Sequence, residues 1–314
     1  MTSSLTLVFC GTPAFAVPTL QKLADSGFNI PLVVTQPDRP RGRGLELAPS
    51  PVKQCAHGIN LPVTQPVTIK NNEEFKAQLT AIQPDAIIVV GYGRIIPPWM
   101  IELPRFGNVN LHASLLPKYR GAAPIQWAIA KGETTTGVTS MRIDTGLDTG
   151  DILLQRELAI GEDETAVSLA PRLAEIGAEL MVETLRGLHA GRIHARPQDA
   201  ANATLAPILK REDGILDFQR PAMEIYNRLR GFQPWPGAYT SFRGKHFQIH
   251  WAKAAASRSR LSPAELGMED ESLLVGCGSG TALRLLEVQV EGKKRMAAAD
   301  FVRGYRPHPG EHLG

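Results

Sequence analysis

Residues 108–151, NVNLHASLLPKYRGAAPIQWAIAKGETTTGVTSMRIDTGLDTGD, constrain this chain more than any other stretch. A short apolar strand carries Asn110 and His112 on one side, because strand side chains repeat every two residues. A turn-rich loop with Pro117, Gly121 and Pro124 follows, then a helical pattern (IQWAIAKG) and a β-branched run (TTTGVTSMRI) that reads as a second strand. That strand enters a glycine-punctuated loop holding Asp144, Asp148 and Asp151. Two neighbouring strands thus bring an amide, an imidazole and an acid to loop ends.

The rest of the chain narrows the class. At 314 residues, 43% of them hydrophobic, two domains with sizeable cores are expected. No run of about 18 apolar residues appears, and the N-terminus MTSSLTLVFCGTPAF has no basic region followed by an apolar stretch and a cleavage pattern. A soluble, cytoplasmic monomer with no membrane contact is expected. Cys10, Cys55 and Cys277 lie far apart, which argues against a disulfide framework or a zinc site and predicts no metal. The net charge of +3 is unevenly spread. From Pro207 onward 16 Lys and Arg face 12 Asp and Glu, whereas the preceding 206 residues hold 18 against 19. Such a skew suits a weak polyanion-docking surface, and equally an ordinary soluble domain.

In chain order, residues 5–10 (LTLVFC) read as a buried strand, VPTLQKLADSG as a helix and 30–35 (IPLVVT) as a second strand, a parallel βαβ unit. The first turn, CGTPAFA, holds one glycine where a dinucleotide fingerprint needs three, which argues against NAD. Residues 36–53 (QPDRPRGRGLELAPSPVK) lack an apolar period and read as a long loop with Arg39, Arg41 and Arg43 placed for phosphate contacts at a strand end. The run DAIIVVGYGRIIPPWM (85–100) is a buried strand ending in Gly91, Tyr92 and Gly93. These glycines let a backbone approach a flat ligand, or simply make a tight turn.

Residues 151–160 continue the sheet, and 165–190 form a helix ended by Gly191. The polar, irregular stretch to about Pro207 reads as a linker. Beyond it come a helix at AMEIYNRLRG, the turn PWPG, and several short alternating segments that suggest a small β-barrel.

The absence of a GxSxG elbow, and of any cysteine near His112, disfavours a covalent acyl-enzyme. Direct acyl transfer to an amine fits better. Asn110 and protonated His112 would stabilise the oxyanion of a tetrahedral intermediate, and an Asp near the His would assist proton removal, directly or through water. A packing or capping role for His112 is the competing reading.

The run NLHASLLPKYRGAAPIQWA followed by GLDTGDIL resembles the signature of the folate-dependent formyltransferases. FCGTPAFA, QPDRPRGRG, VVGYGRIIP and PWPG extend the resemblance over nearly the whole chain. It implies transfer of a formyl group from 10-formyltetrahydrofolate to the amino group of methionine on initiator methionyl-tRNA. By position, Asn110, His112 and Asp148 match the family's catalytic trio. Ser114, Leu115, Leu116 and Pro117 match its folate-binding segment, and Gly91, Tyr92 and Gly93 border its pterin pocket. Arg43 matches the loop arginine that meets the tRNA acceptor end, with Arg39 and Arg41 beside it. The implied fold is α/β: a Rossmann-like parallel-sheet catalytic domain over 1–190, a linker over 191–206 and an OB-like tRNA-contacting barrel over 207–314.

Three positions, at two places in the chain, depart from the family pattern. Leu45 and Glu46 stand where the loop usually has two lysines, which removes positive charge from the expected tRNA path, and Ala14 stands where Glu usually follows GTP. An amino-sugar nucleotide formyltransferase is the nearest rival, but it lacks the arginine loop and the GAAP and GLDTG wording. A purine-synthesis formyltransferase would lack the C-terminal barrel. A non-catalytic tRNA-binding protein is disfavoured by the intact Asn110, His112 and Asp148.

Overall fold

The computed structural model describes residues 4–41, 46–256, 260–308 and 310–314. In chain order, the N-terminal elements are β1 (Thr6–Gly11), α1 (Val17–Asp25), β2 (Asn29–Val34), β3 (Arg39–Arg41), β4 (Glu46–Ala48), α2 (Pro51–Gly58), β5 (Val63–Thr64) and α3 (Glu73–Ile82). Next come β6 (Ala86–Val90), α4 (Pro98–Ile101), β7 (Asn108–His112), α5 (Pro124–Ala130), β8 (Thr135–Arg142), β9 (Ile152–Ala159) and α6 (Ala166–His189). The chain ends with α7 (Ala222–Gly231), β10 (Tyr239–Phe242), β11 (Lys245–Ala255), β12 (Leu266–Glu269), β13 (Ser272–Cys277), β14 (Thr281–Val290), β15 (Met296–Ala297) and α8 (Ala298–Tyr305).

Two compact units result. The first comprises residues 1–121, 135–159 and 170–206; the second comprises 122–134, 160–169 and 207–314.

The first unit is built on a seven-stranded sheet of order β5-β2-β1-β6-β7-β8-β9. Its first five strands are parallel, and β8 and β9 add antiparallel pairs. Strands β1 and β6 are almost wholly buried, as continuous apolar runs in a covered parallel sheet should be. The chain passes from β1 to β2 on one side and later returns to β6 on the other. The carboxyl ends of β1 and β6 therefore flank a switch point, where ligands bind in open α/β sheets.

Local chemistry sets the helix ends. Ser50 caps α2 by accepting from Lys53 N at 3.1 Å, with Pro51 in the first turn, and Asn72 caps α3 through Phe75 N at 2.9 Å. Gly177 lets α6 pass close to β7, since a Cβ there would stand 2.6 Å from Leu111 Cδ2.

The stretch expected to be one long loop, 36–53, contains more order than its composition suggests. β3 and β4 pair as an antiparallel ribbon (Arg39 with Ala48, Arg41 with Glu46), and α2 begins at Pro51. Three-residue strands are too short to show an alternating pattern, so the sequence carries no period for them. The stretch 191–206, read as a linker, is irregular but hydrogen-bonded to its own unit: Arg196 bridges Ile152, and Leu205 bridges Arg120.

The second unit carries an antiparallel sheet of order β10-β11-β14-β13-β12, with β15 on β14. This is where a small barrel was expected; among the described residues β10 and β12 do not pair directly, and the C-terminal residues bond to both, Gly314 N donating to Ser241 O (2.9 Å) and Leu266 N to Glu311 O (2.7 Å). Its core gathers Phe242, Phe247 and Phe301, with ring centroids 5.0–5.9 Å apart, against Ile225, Leu229, Leu283 and Val288. Helix α8, which the sequence reading does not single out, supplies Phe301 to that core.

Candidate active site

Asn110 and His112 stand two residues apart on β7, opposite Met141 and Thr139 of β8. His112, the last residue of the strand, is buried. Its Nε2 lies 2.9 Å from the carbonyl oxygen of Tyr119. A carbonyl only accepts, so Nε2 carries the proton of that bond and Nδ1 faces the other way. Nδ1 is 3.7 Å from Asp148 Oδ2. That separation exceeds a direct hydrogen bond but is close enough for strong attraction to an imidazolium.

Asp148 adopts a left-handed backbone, φ 51°. Its Oδ2 accepts from Gly121 N at 2.8 Å, and its side chain is 18% exposed. Among the described residues, neither Asp148 Oδ1 nor the half-buried Asn110 amide has a side-chain hydrogen-bond partner, so both keep capacity for a ligand. Asp144 is used differently, closing its own loop through Gly146 N and Thr149 Oγ1. Of the loop's acids, Asp148 is the one whose carboxylate stands beside His112 among the described residues.

The backbone around Asp148 is held by residues the sequence reading did not name. Gln198 Nε2 donates to the carbonyls of Asp148 (2.9 Å) and Gly150 (2.7 Å), while Arg120 Nε and Nη2 donate to Gln198 Oε1 (3.1 and 2.7 Å).

The segment from Ser114 to Pro117 is fixed from beneath by β8 and β9. Thr139 Oγ1 donates to Ser114 O (2.6 Å) and accepts from Leu116 N (3.1 Å). Gln155 Nε2 reaches Leu116 O (2.9 Å) and Thr139 Oγ1 (3.0 Å). Ser114 is buried and spends its hydroxyl on Lys118 O (2.6 Å), and Leu116 packs with Met141 and Ile152. The Leu116–Pro117 peptide is cis. Leu115 stays half-buried, its side chain close over Gly137. Ligand contact by this segment would therefore run through its backbone, Leu115 and Pro117, with Ser114 and Leu116 shaping it from within.

Gly91 and Gly93 are exposed and have positive φ (56° and 76°), whereas the Tyr92 ring is turned into the core with Val8, Cys10 and Val89. The Tyr92 hydroxyl is buried without a hydrogen-bond partner among the described residues, and burial pushes its ionisation well above the ordinary phenol range. A flat ligand at this turn would thus meet peptide groups rather than the ring. Gln36 Nε2 holds the turn through Tyr92 O (2.9 Å) and Gly93 O (3.1 Å).

The same Gln36 accepts from Arg39 Nη2 at 2.8 Å, which ties the first arginine of the ribbon to that turn. Below it, Asp38 bonds Lys53 Nζ and Gln65 Nε2, each at 2.7 Å, and these two partners hold its carboxyl below the usual carboxylate range, Lys53 first. Arg41 pairs through its backbone with Glu46, and Arg43 lies outside the described residues together with Leu45. Among the described residues no three His, Cys, Asp or Glu side chains converge as a metal site requires, and no helix is long and apolar enough to cross a membrane.

Comparison with known proteins gives this geometry a family. Residues 5–185 match the family model described as formyl transferase, and residues 208–306 match the formyl transferase C-terminal domain. A methionyl-tRNA formyltransferase of Koribacter versatilis (strain Ellin345) is 67% identical over 308 residues, covering 98% of each chain. One of Acidobacterium capsulatum is 61% identical, covering 98% of this chain and 99% of that one. Among solved structures, an N-formyltransferase from Helicobacter canadensis in complex with folinic acid and dTDP-3-aminofucose aligns with a TM-score of 0.67 at 19% identity, covering 90% of this chain and 98% of that one. That likeness speaks for the fold alone. The chain belongs to the formyl transferases, in the methionyl-tRNA formyltransferase family.

Proposed function

We propose that this enzyme transfers the formyl group of 10-formyltetrahydrofolate to the free amino group of methionine on initiator methionyl-tRNA. The observation that carries the reading is the arrangement at the end of β7. His112 Nδ1 faces Asp148 Oδ2 at 3.7 Å, and the uncommitted amide of Asn110 stands on the same strand.

When bound, the folate supplies an activated formyl carbon. The backbone from Ser114 to Pro117 and the turn at residues 91–93, exposed at Gly91 and Gly93, would hold it, with the buried Tyr92 ring supporting the turn from below. The methionine amine attacks the formyl carbon. Asn110 and the Nδ1–H of an imidazolium at His112 take up the negative charge that develops on the formyl oxygen. Asp148 sustains the imidazolium and accepts the amine proton through Oδ1, directly or through water. As the carbon–nitrogen bond to the folate breaks, the released folate nitrogen takes up one proton, matching the one the amine gave to Asp148, so the enzyme returns to its starting state. No covalent enzyme intermediate is needed; positioning and charge stabilisation do the work.

Arg39 and Arg41 of the ribbon, Arg43, which lies outside the described residues, and the positively charged segment from Pro207 onward are assigned to the tRNA phosphates. Residues 1–190 would carry catalysis and 207–314 tRNA contact. An enzyme that consumes charged tRNA works where translation does, in the cytoplasm, and we assign it there as a monomer.

The acceptor is the element that fold alone does not choose, since the Helicobacter relative is in complex with a sugar nucleotide. The test is a formyl-transfer assay with 10-formyltetrahydrofolate, offering charged initiator methionyl-tRNA and an amino-sugar nucleotide in separate reactions. Product on the tRNA alone is expected. Product on the sugar alone would overturn the acceptor, and product on neither would overturn the catalytic reading.

A further inference from the structure

The stretch 191–206 has the composition of a linker but is pinned at both ends to the loops that carry the site. On one side Ile152 and Arg196 exchange both backbone hydrogen bonds, at 2.8 and 2.9 Å. On the other, Arg120 N donates to Thr204 O (2.8 Å) and Ala206 N donates to Arg120 O (2.7 Å). Tyr119 N adds a bond to Thr204 Oγ1 at 2.8 Å, and the carbonyl of that same Tyr119 holds His112.

Gln198 sits between these pins. Its amide has one orientation consistent with its neighbours. The nitrogen faces two carbonyls, of Asp148 and Gly150, and the oxygen faces two guanidinium N–H groups of Arg120. Both of its N–H donors and both of its lone pairs are used. Asp148 needs such support, because its left-handed backbone is one that non-glycine residues visit at a cost. Fixing the carbonyl of Asp148 fixes the peptide plane from which its side chain leaves. That side chain then reaches Gly121 N at 2.8 Å and His112 Nδ1 at 3.7 Å.

We propose that Gln198, oriented by Arg120, is a positioning residue for formyl transfer: it holds the left-handed turn at Asp148 so that the carboxylate stands against His112. The strap over 191–206 is then part of the site's scaffold, which a spacer between domains would not be. This rests on the reading of Asp148 as the group that sustains the imidazolium and takes the proton.

The decisive substitution is Gln198→Glu. It keeps the shape and the acceptor for Arg120 but replaces the donor with an oxygen facing two carbonyls. A role limited to filling space or to accepting from Arg120 would survive it. The assay is steady-state formyl transfer by the full chain, comparing Gln198→Glu, Gln198→Ala, Asp148→Asn and the double variant Gln198→Glu with Asp148→Asn, alongside thermal melting. For Gln198→Glu and Gln198→Ala, kcat should fall about 10- to 100-fold, the scale of a small misplacement of a reacting group, with both KM values within about threefold. In the Asp148→Asn background, Gln198→Glu should cost less than about threefold more, because the two act through one carboxylate.

Wild-type kcat in Gln198→Glu, or a full multiplicative loss in the Asp148→Asn background, would overturn the proposal and leave the catalytic reading standing. Normal activity in Asp148→Asn would instead overturn the reading on which it rests, and the proposal with it. If Gln198→Glu fails to fold, Gln198→Ala and Arg120→Ala, which add no charge, carry the same test, with the smaller loss expected for Arg120→Ala. Wild-type kcat in both would overturn the positioning role.

Discussion

Replacing Tyr92 by Phe separates two accounts of the turn after β6. The phenol ring is 1% exposed and packs with Val8, Cys10 and Val89, and its hydroxyl has no hydrogen-bond partner among the described residues. Leaving a buried hydroxyl unpaired costs about 1–3 kcal/mol, whereas Phe keeps the ring contacts and removes only the unpaired group. Tyr92→Phe should therefore stabilise the first unit by about 1–2 kcal/mol, which raises its melting temperature by about 3–6 °C for a unit of this size. Because a folate held at this turn would meet the exposed Gly91 and Gly93 rather than the buried ring, kcat and the folate KM should stay within about twofold. The assay pairs a thermal melt with formyl-transfer kinetics on the same preparation. A lower melting temperature, or a folate KM raised several-fold, would show that the hydroxyl has a partner and would refute the reasoning.

Two further substitutions probe the scaffold. Gly121→Ala places a methyl at φ 120° and 2.7 Å from the carbonyl oxygen of Ala206, next to the N–H that holds Asp148. It should cost about 2–3 kcal/mol of stability in urea unfolding and at least about tenfold in kcat; a variant with both properties intact would refute this placement. In the second unit, Asp163 accepts from Lys253 (2.7 Å) and Tyr226, which hold its carboxyl below the usual range, Lys253 first. Its folded pKa is lowered, so the stability it contributes is fully present above the ordinary Asp range, about pH 4, and is lost as pH falls through the folded value. Unfolding of Asp163→Asn should thus depend less on pH below about 4 than wild type; an unchanged acid limb would remove Asp163 from the account.

How far the candidate site could be read in advance depended on what kind of backbone carries each residue. Asn110 and His112 were legible because strand alternation puts them on one face whatever the tertiary context. Asp148 was placed by its loop's wording; spacing alone left Asp144 and Asp151 as equals, because glycine-rich loops have no period. Gln198 left no trace. Its partners Asp148 and Arg120 lie 50 and 78 residues away in sequence, and its own neighbourhood has a linker's composition. Tyr92 shows a different limit. A GYG turn after an apolar strand does not reveal whether its ring points outward or inward, and the space beside Val8 and Cys10 decided it. The ribbon β3–β4 was hidden because two three-residue strands among prolines offer no pattern to count.

The central claim is that His112 and Asp148 perform the chemistry. Single-turnover formyl transfer to initiator methionyl-tRNA by His112→Ala and Asp148→Asn, with folate binding measured in parallel by fluorescence, tests it most directly. The predicted result is a loss of about 10²- to 10⁴-fold in the chemical rate with folate affinity within about threefold of wild type. A near-normal rate in either variant would contradict the account.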